Sequence, residues 1–112
     1  MVTVEDVRLL ARTLPRTTEH LIRDRVKFRV GAIVYVAFSR DETEMGFGFP
    51  KLERDALIAS APTKFFQPRP SDLRYQWVEC WLAELDIDEM HELVTEAWRM
   101  VVPKFLARER LG

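Results

Sequence analysis

Apolar positions recur at two different periods along this chain, and the change of period marks its elements. Val4, Val7, Ala11 and Leu14 fall three and four apart, which is one face of a helix. Thr3, with Asp6 three residues later, is a capping-box-like start for it. Pro15, which has no N–H, stops it. From His20 the period is two. Val26, Phe28 and Val30 alternate with Arg25, Lys27 and Arg29, so this segment is a strand with one buried and one solvated face. Gly31 permits a tight turn into residues 33–38. There Ile33, Tyr35 and Ala37 point one way and Val34, Val36 and Phe38 the other, the pattern of a central strand covered on both sides. Residues 39–43 are a polar turn, and Met45, Phe47 and Phe49 suit a third strand.

Pro50 opens a short helix over residues 51–60, with Leu52, Ala56 and Ala59 on one face. Pro68 and Pro70 make residues 64–75 mostly loop, with Phe65 and Phe66 as a short strand or plug. Val78, Cys80 and Leu82 alternate against Trp77, Glu79 and Trp81 in a further strand. Asp86 and Glu89 open the last helix, where Ile87, Met90, Val94, Ala97 and Val101 keep helical spacing. Pro103 limits it, and Lys104, Arg108 and Arg110 form a basic tail. The order is helix, three strands, helix, one or two strands, helix. Such a chain makes an α+β fold of two layers, an antiparallel sheet with helices packed on one face.

Composition narrows the class and leaves the function open. The 112 residues suit one domain spanning 1–112, and 47% apolar with 31% charged residues excludes disordered and low-complexity classes. A single cysteine, Cys80, excludes an intrachain disulfide and reads as a small core residue. The acidic start and the lack of a long apolar run point to a cytoplasmic protein with no membrane segment. The net charge of −1 excludes a strongly basic nucleic-acid domain. The charge is segregated, however: residues 23–40 carry a net +4, residues 41–62 a net −3, and residues 83–98 six acids and no base.

Five segments carry a resemblance: VEDVRLLARTLP, KFRVGAIVYVAF, FFQPRP, YQWVECWL and AWRMVVPK. In this order and spacing the chain resembles the MmcQ/YjbR-like family of small bacterial proteins over about residues 3 to 104. The resemblance implies a two-layer α+β fold like that of secretion chaperones, and family members are often labelled DNA-binding. It brings no catalytic motif with it. The chain departs from the family at outward positions of the 76–82 strand, often basic there and here Glu79 and Trp81.

The sharpest charge feature is Arg23, Arg25, Lys27 and Arg29, which at period two share one strand face. Cations roughly 7 Å apart can track phosphates, with Arg69, Arg74 and Tyr75 adding charge and a stacking surface. The bland reading is a solvated edge face. Tyr35, Trp77 and Trp81, with Tyr75 nearby, offer an apolar outer surface for a homodimer or protein partner, unless the Pro-rich loop covers them. Asp86 and Glu89 are cap positions and His91 has no second histidine in reach, so neither metal nor cofactor is expected. No nucleophile elbow or Gly-rich phosphate loop is present, and a non-enzyme is expected. Three readings stand: a nucleic-acid-binding domain using the basic strand, a protein-interaction or chaperone-like module, and an enzyme with a concave polar pocket.

Overall fold

The alternation at residues 25–30 does build a strand, and it folds back on one that precedes it. In a computed structural model, which describes residues 1–111 and their side chains as far as Glu109, β1 (Thr17–Ile22) and β2 (Arg25–Val30) form a hairpin. Its two-residue turn is Arg23–Asp24, with φ of 54° and 64°. Positive φ at both central positions is the I′ geometry, whose twist matches that of the flanking strands. Arg23 therefore sits in the turn and not on the strand face with the other three cations. Its carbonyl accepts a hydrogen bond from Arg40 Nε at 3.0 Å.

Gly31, with φ of 60°, turns the chain into β3 (Ile33–Phe38), and the polar segment 39–43 leads to β4 (Glu44–Gly48). A short helical stretch leads into α2 (Arg54–Ser60), then come β5 (Phe65–Phe66) and β6 (Trp77–Trp81). The six strands form one antiparallel sheet in the order β1-β2-β3-β4-β6-β5.

Helices α1 (Val4–Ala11) and α3 (Ile87–Arg99) cover one face of it. The capping box of α1 is present: Thr3 Oγ1 accepts from Asp6 N, and Asp6 returns a bond to Thr3 N. Asp86 caps α3 by accepting from Glu89 N at 2.7 Å. The stripe Met90, Val94, Ala97 and Trp98 is fully buried against Phe28, Val36, Met45, Phe47 and Val78. The indole of Trp98 donates to the Pro15 carbonyl at 2.8 Å, tying α3 to the end of the first segment. No helix among the described residues is long and apolar enough to cross a membrane.

Besides Arg23, other expectations are corrected. The alternating segment read as one strand from His20 is two, β1 and β2, and a last helix, α4 (Lys104–Leu111), stands where only a basic tail is predicted. Arg110, counted in the basic tail, has its side chain outside the described residues. In the segment 51–60 the inward positions are Arg54, Leu57 and Ile58, while Leu52 is almost fully exposed.

Tyr35 is another. The β2–β3 register pairs Phe28 with Val36 and Arg29 with Val34, so Tyr35 is an extra residue opposite the same partner. Such a bulge re-aims a side chain. Tyr35 and Val36 are consecutive, and both are completely buried. The Tyr35 hydroxyl lies 2.8 Å from Thr17 Oγ1, whose strand partner is Val30, and burial pushes its ionisation up to about 12. The Tyr35 ring is thus part of the core and not exposed on an outer surface, although the residue borders the cavity on that face.

Tyr35→Phe removes this buried hydroxyl alone and leaves Thr17 without its partner. We expect a loss of about 1–2 kcal/mol in urea unfolding. An unchanged midpoint would mean that the hydroxyl reaches water.

Candidate functional site

Residues paired directly across strands share a face, so register alone defines the sheet face that α1 and α3 leave uncovered. One row runs His20, Lys27, Ala37, Gly46, Glu79, Phe66 across all six strands. The two central strands contribute only a methyl and a hydrogen. The row is high at its sides and low in the middle, which makes a trough. It encloses about 820 Å³, and its walls include Arg25 and Lys27 on one side and Phe66, Trp77 and Glu79 on the other. The loop after β5 closes the second side with Arg69, Asp72 and Tyr75.

The basic side is β2. Arg25, Lys27 and Arg29 are half-buried and follow one another at about 7 Å along one strand face. None takes part in an ion pair among the described residues. Arg29 Nη2 lies 3.1 Å from His20 Nδ1, and His20 Nε2 lies 2.9 Å from Thr18 Oγ1. A guanidinium only donates, so Nδ1 accepts and the Nε2 proton goes to Thr18. This chain orients Arg29 without neutralising it.

The opposite side is aromatic and acidic. Trp77 Nε1 donates to Glu79 Oε2 at 2.7 Å. Both side chains lie flat over Gly46, where a Cβ would come within 2.5 Å of Glu79 Oε2 and of Trp77 Nε1. Only glycine leaves that space. Burial raises the Glu79 carboxyl to about 7, the indole bond opposes the rise, Glu44 and Asp72 add to it, and Arg69 counters it. Phe66 and Trp81 have ring centroids 4.8 Å apart, and Trp81 is 42% exposed.

The loop that carries Tyr75 is held from behind by Arg54. This residue is buried and donates to three carbonyls, Leu73 at 2.9 Å and Tyr75 and Trp77 at 3.1 Å. A guanidinium fork suits such a set of acceptors, because its donors diverge in one plane. Arg54 acts on the trough only through the backbone it positions.

Of the residues singled out in the sequence, Arg25, Lys27, Arg69, Tyr75 and Trp77 meet in the trough, and Arg29 continues the basic row. Arg69 is within 3.8 Å of Asp72. Arg74 stands 4.9 Å over the Tyr75 ring and donates to its hydroxyl at 2.9 Å, but it does not line the trough. Arg23 is in the hairpin turn and Tyr35 in the core. Trp81 is exposed beside Phe66. Asp86 is occupied as a cap, and Glu89 pairs with Lys64 at 2.7 Å. Cys80 is buried in the core, where desolvation raises its thiol. The residues missed are Glu79, Gly46, Ala37 and Arg54. Outward alternation at Trp77 and Glu79 marked their face, but nothing in the local sequence marks Glu79 as acid-poor in water.

The family model for YjbR matches residues 12–100. The chain belongs to the YjbR family. Its fold is similar to the crystal structure of Deinococcus radiodurans protein DR2400, which has a DUF419 domain. The TM-score is 0.80 and the identity 20%, over 100% of this chain and 89% of that one. No curated protein matches the chain.

Two outcomes follow from this geometry. Arg54→Met keeps the aliphatic stem and deletes the three donors, so stability should fall by about 2–4 kcal/mol, with faster amide exchange across residues 73–77. Equal exchange in both proteins would show that the loop does not depend on Arg54. Second, Glu79 holds its proton more tightly in the folded chain than its ordinary 4.5. Folding then takes up a proton between about 4.5 and about 7, so the stability from this group falls as pH rises through that window and is level above it. Glu79→Gln should remove that slope in unfolding measured across the window; a slope that persists would assign it elsewhere.

Proposed function

We propose that this YjbR-family chain is a binding domain for single-stranded nucleic acid, seated across the uncovered sheet face. The observation that carries the reading is the pairing of two walls. Arg25, Lys27 and Arg29 form a cationic row with no carboxylate partner among the described residues, and Tyr75, Trp77 and Phe66 face them across a floor of Ala37 and Gly46. A single strand needs both parts. Phosphates follow spaced cations, and unstacked bases lie on aromatic faces, worth about 1–3 kcal/mol per base. A duplex has its bases stacked inside and gains little from such a wall.

The trough also has the concave form and the shifted carboxyl expected of an enzyme. Binding is favoured over catalysis because Glu79 has no acid–base or nucleophilic partner. Its hydrogen-bond partner among the described residues is the Trp77 indole, which can hold a carboxylate but cannot relay its proton. Cys80, its neighbour in sequence, points into the core. For a protein partner, Trp81 stands exposed beside Phe66 of the trough wall, and Tyr75 and Phe105 are exposed as well, but Trp81, Tyr75 and Phe105 do not form one joined aromatic patch.

The test is fluorescence anisotropy of a labelled short single-stranded DNA at low and high salt, with Arg25→Glu/Lys27→Glu as control. Affinity should fall with salt at a slope of about −2 for three phosphates, at about 0.7 each on single strands. Charge reversal should abolish binding, and duplex of the same length should bind more weakly. Absence of binding at low salt, or indifference to the charge reversal, would overturn the proposal.

A further inference from the structure

We propose that Glu79 is a base-reading residue, which accepts the two adjacent N–H groups of a guanine Watson–Crick edge while the phosphate of that nucleotide sits on Lys27. The inference rests on the strand-binding reading and adds to it a sequence preference that the cationic row cannot supply, because phosphate contacts carry no sequence information.

The register provides the spacing. Lys27 and Glu79 lie in the same row, three strand steps apart, or roughly 14 Å between backbones. The Glu79 carboxylate already reaches inward over Gly46, so about two strand steps, or roughly 10 Å, separate it from the β2 backbone that carries Lys27. What remains between them is about the span of one nucleotide from phosphate to base edge. The base then lies over Ala37, edge-on to the Glu79 carboxylate and the Trp77 indole that cover Gly46. Guanine alone presents a ring N–H and an exocyclic amino group side by side on that edge. A carboxylate has lone pairs for both, even with Oε2 already accepting from Trp77. That indole bond is what makes the site selective: it fixes the carboxylate plane, so a base must match it instead of the side chain turning to suit the base.

The groups facing Glu79 are the Trp77 indole on its own strand, Glu44 and Gly46 on β4, Phe66 on β5, and Asp72 and Arg69 on the loop. Two of these are acids, one is a base already close to Asp72, and together with burial they hold the carboxyl at about 7. The accepting form is therefore the one that grows as pH rises through neutrality. Guanine donors would favour that form further, so binding releases protons below neutrality.

The experiment compares a short thymine tract with the same tract carrying one central guanine, each bound to the intact chain at pH 6 and pH 8. At pH 8 the guanine strand should bind about tenfold to a hundredfold more tightly, the range expected for a bidentate base contact. At pH 6 the difference should shrink, and Glu79→Gln should remove it at both pH values, since an amide offers one acceptor and one donor against two donors. Calorimetry of the guanine strand in two buffers of different ionisation enthalpy should report proton release at pH 6. Equal affinity of the two strands at pH 8, or a preference that survives Glu79→Gln, would overturn the base-reading role while leaving the phosphate-binding surface in place. If neither strand binds at low salt, the strand-binding reading itself fails and takes this one with it.

Discussion

A missing Cβ at Gly46 holds the open face together. The indole of Trp77 and the carboxylate of Glu79 cross directly above that position, at 2.5 Å from where a Cβ would stand. Any side chain there would lift both groups off the sheet and break the hydrogen bond between them. Ala37 next to it in the row does the same with a single methyl. The centre of the sheet is thus kept low on the side that the helices do not cover. A two-layer fold always leaves one sheet face to solvent, and most such faces are filled by long polar side chains. Here the long side chains stand only at the sides, and the face is concave.

The other face works by the opposite rule. Trp98, Met90, Phe28, Phe47 and Tyr35 are completely buried there, so the helical side has little room for change. The bulge in β3 links the two. It puts Tyr35 next to Val36 in the core, and it leaves Val34 in register with Arg29 on the outer side. Without the extra residue, strict alternation would place the Tyr35 ring on the open face, over the floor. The bulge thus adds a large ring to the core and at the same time keeps the trough clear.

Much of this was legible from residue order, and the parts that were not have a common cause. The helices α1 and α3 follow from the spacing of Val4, Val7, Met90 and Val94 and from the caps at Thr3 and Asp86, all of which are local signals. The basic face of β2 follows from period two. The strand β1 does not, because an edge strand with most of its residues exposed has no apolar alternation to read. Its turn also lacks the Asn-Gly signature of I′ geometry and uses Arg23–Asp24 instead. A bulge is likewise invisible in a run such as IVYVAF, where every register looks apolar. Arg54 and Glu79 were missed for a different reason. Arg54 is set by Leu73, Tyr75 and Trp77, 19 to 23 positions away, and Glu79 by burial in the assembled sheet, with Glu44, 35 positions away, adding to the rise that its near neighbour Trp77 opposes. Nothing in a local window distinguishes them from ordinary surface charges.

The near-zero net charge conceals how the charge is placed. Six acids lie between residues 83 and 98, where Asp86 caps a helix and Glu89 holds Lys64. The cations of β2 have no such engagements, so the uncovered face carries more positive charge than the composition suggests. The acids in the trough oppose this, and their position decides what the opposition means. They stand on the far wall, with the floor between them and the cations. A phosphate backbone on β2 is separated from Glu44 and Glu79 by about two or three strand spacings, beyond the Debye length at physiological salt of about 8 Å. At that range repulsion between backbone and carboxylates is weak, whereas a base that crosses the floor meets the carboxylate directly. The same arrangement disfavours a ligand whose charge is spread evenly, because it would place anion against anion on the far wall. It favours a ligand that is anionic at one end and a neutral hydrogen-bond donor at the other, which is the polarity of a nucleotide and not of a phosphate chain alone.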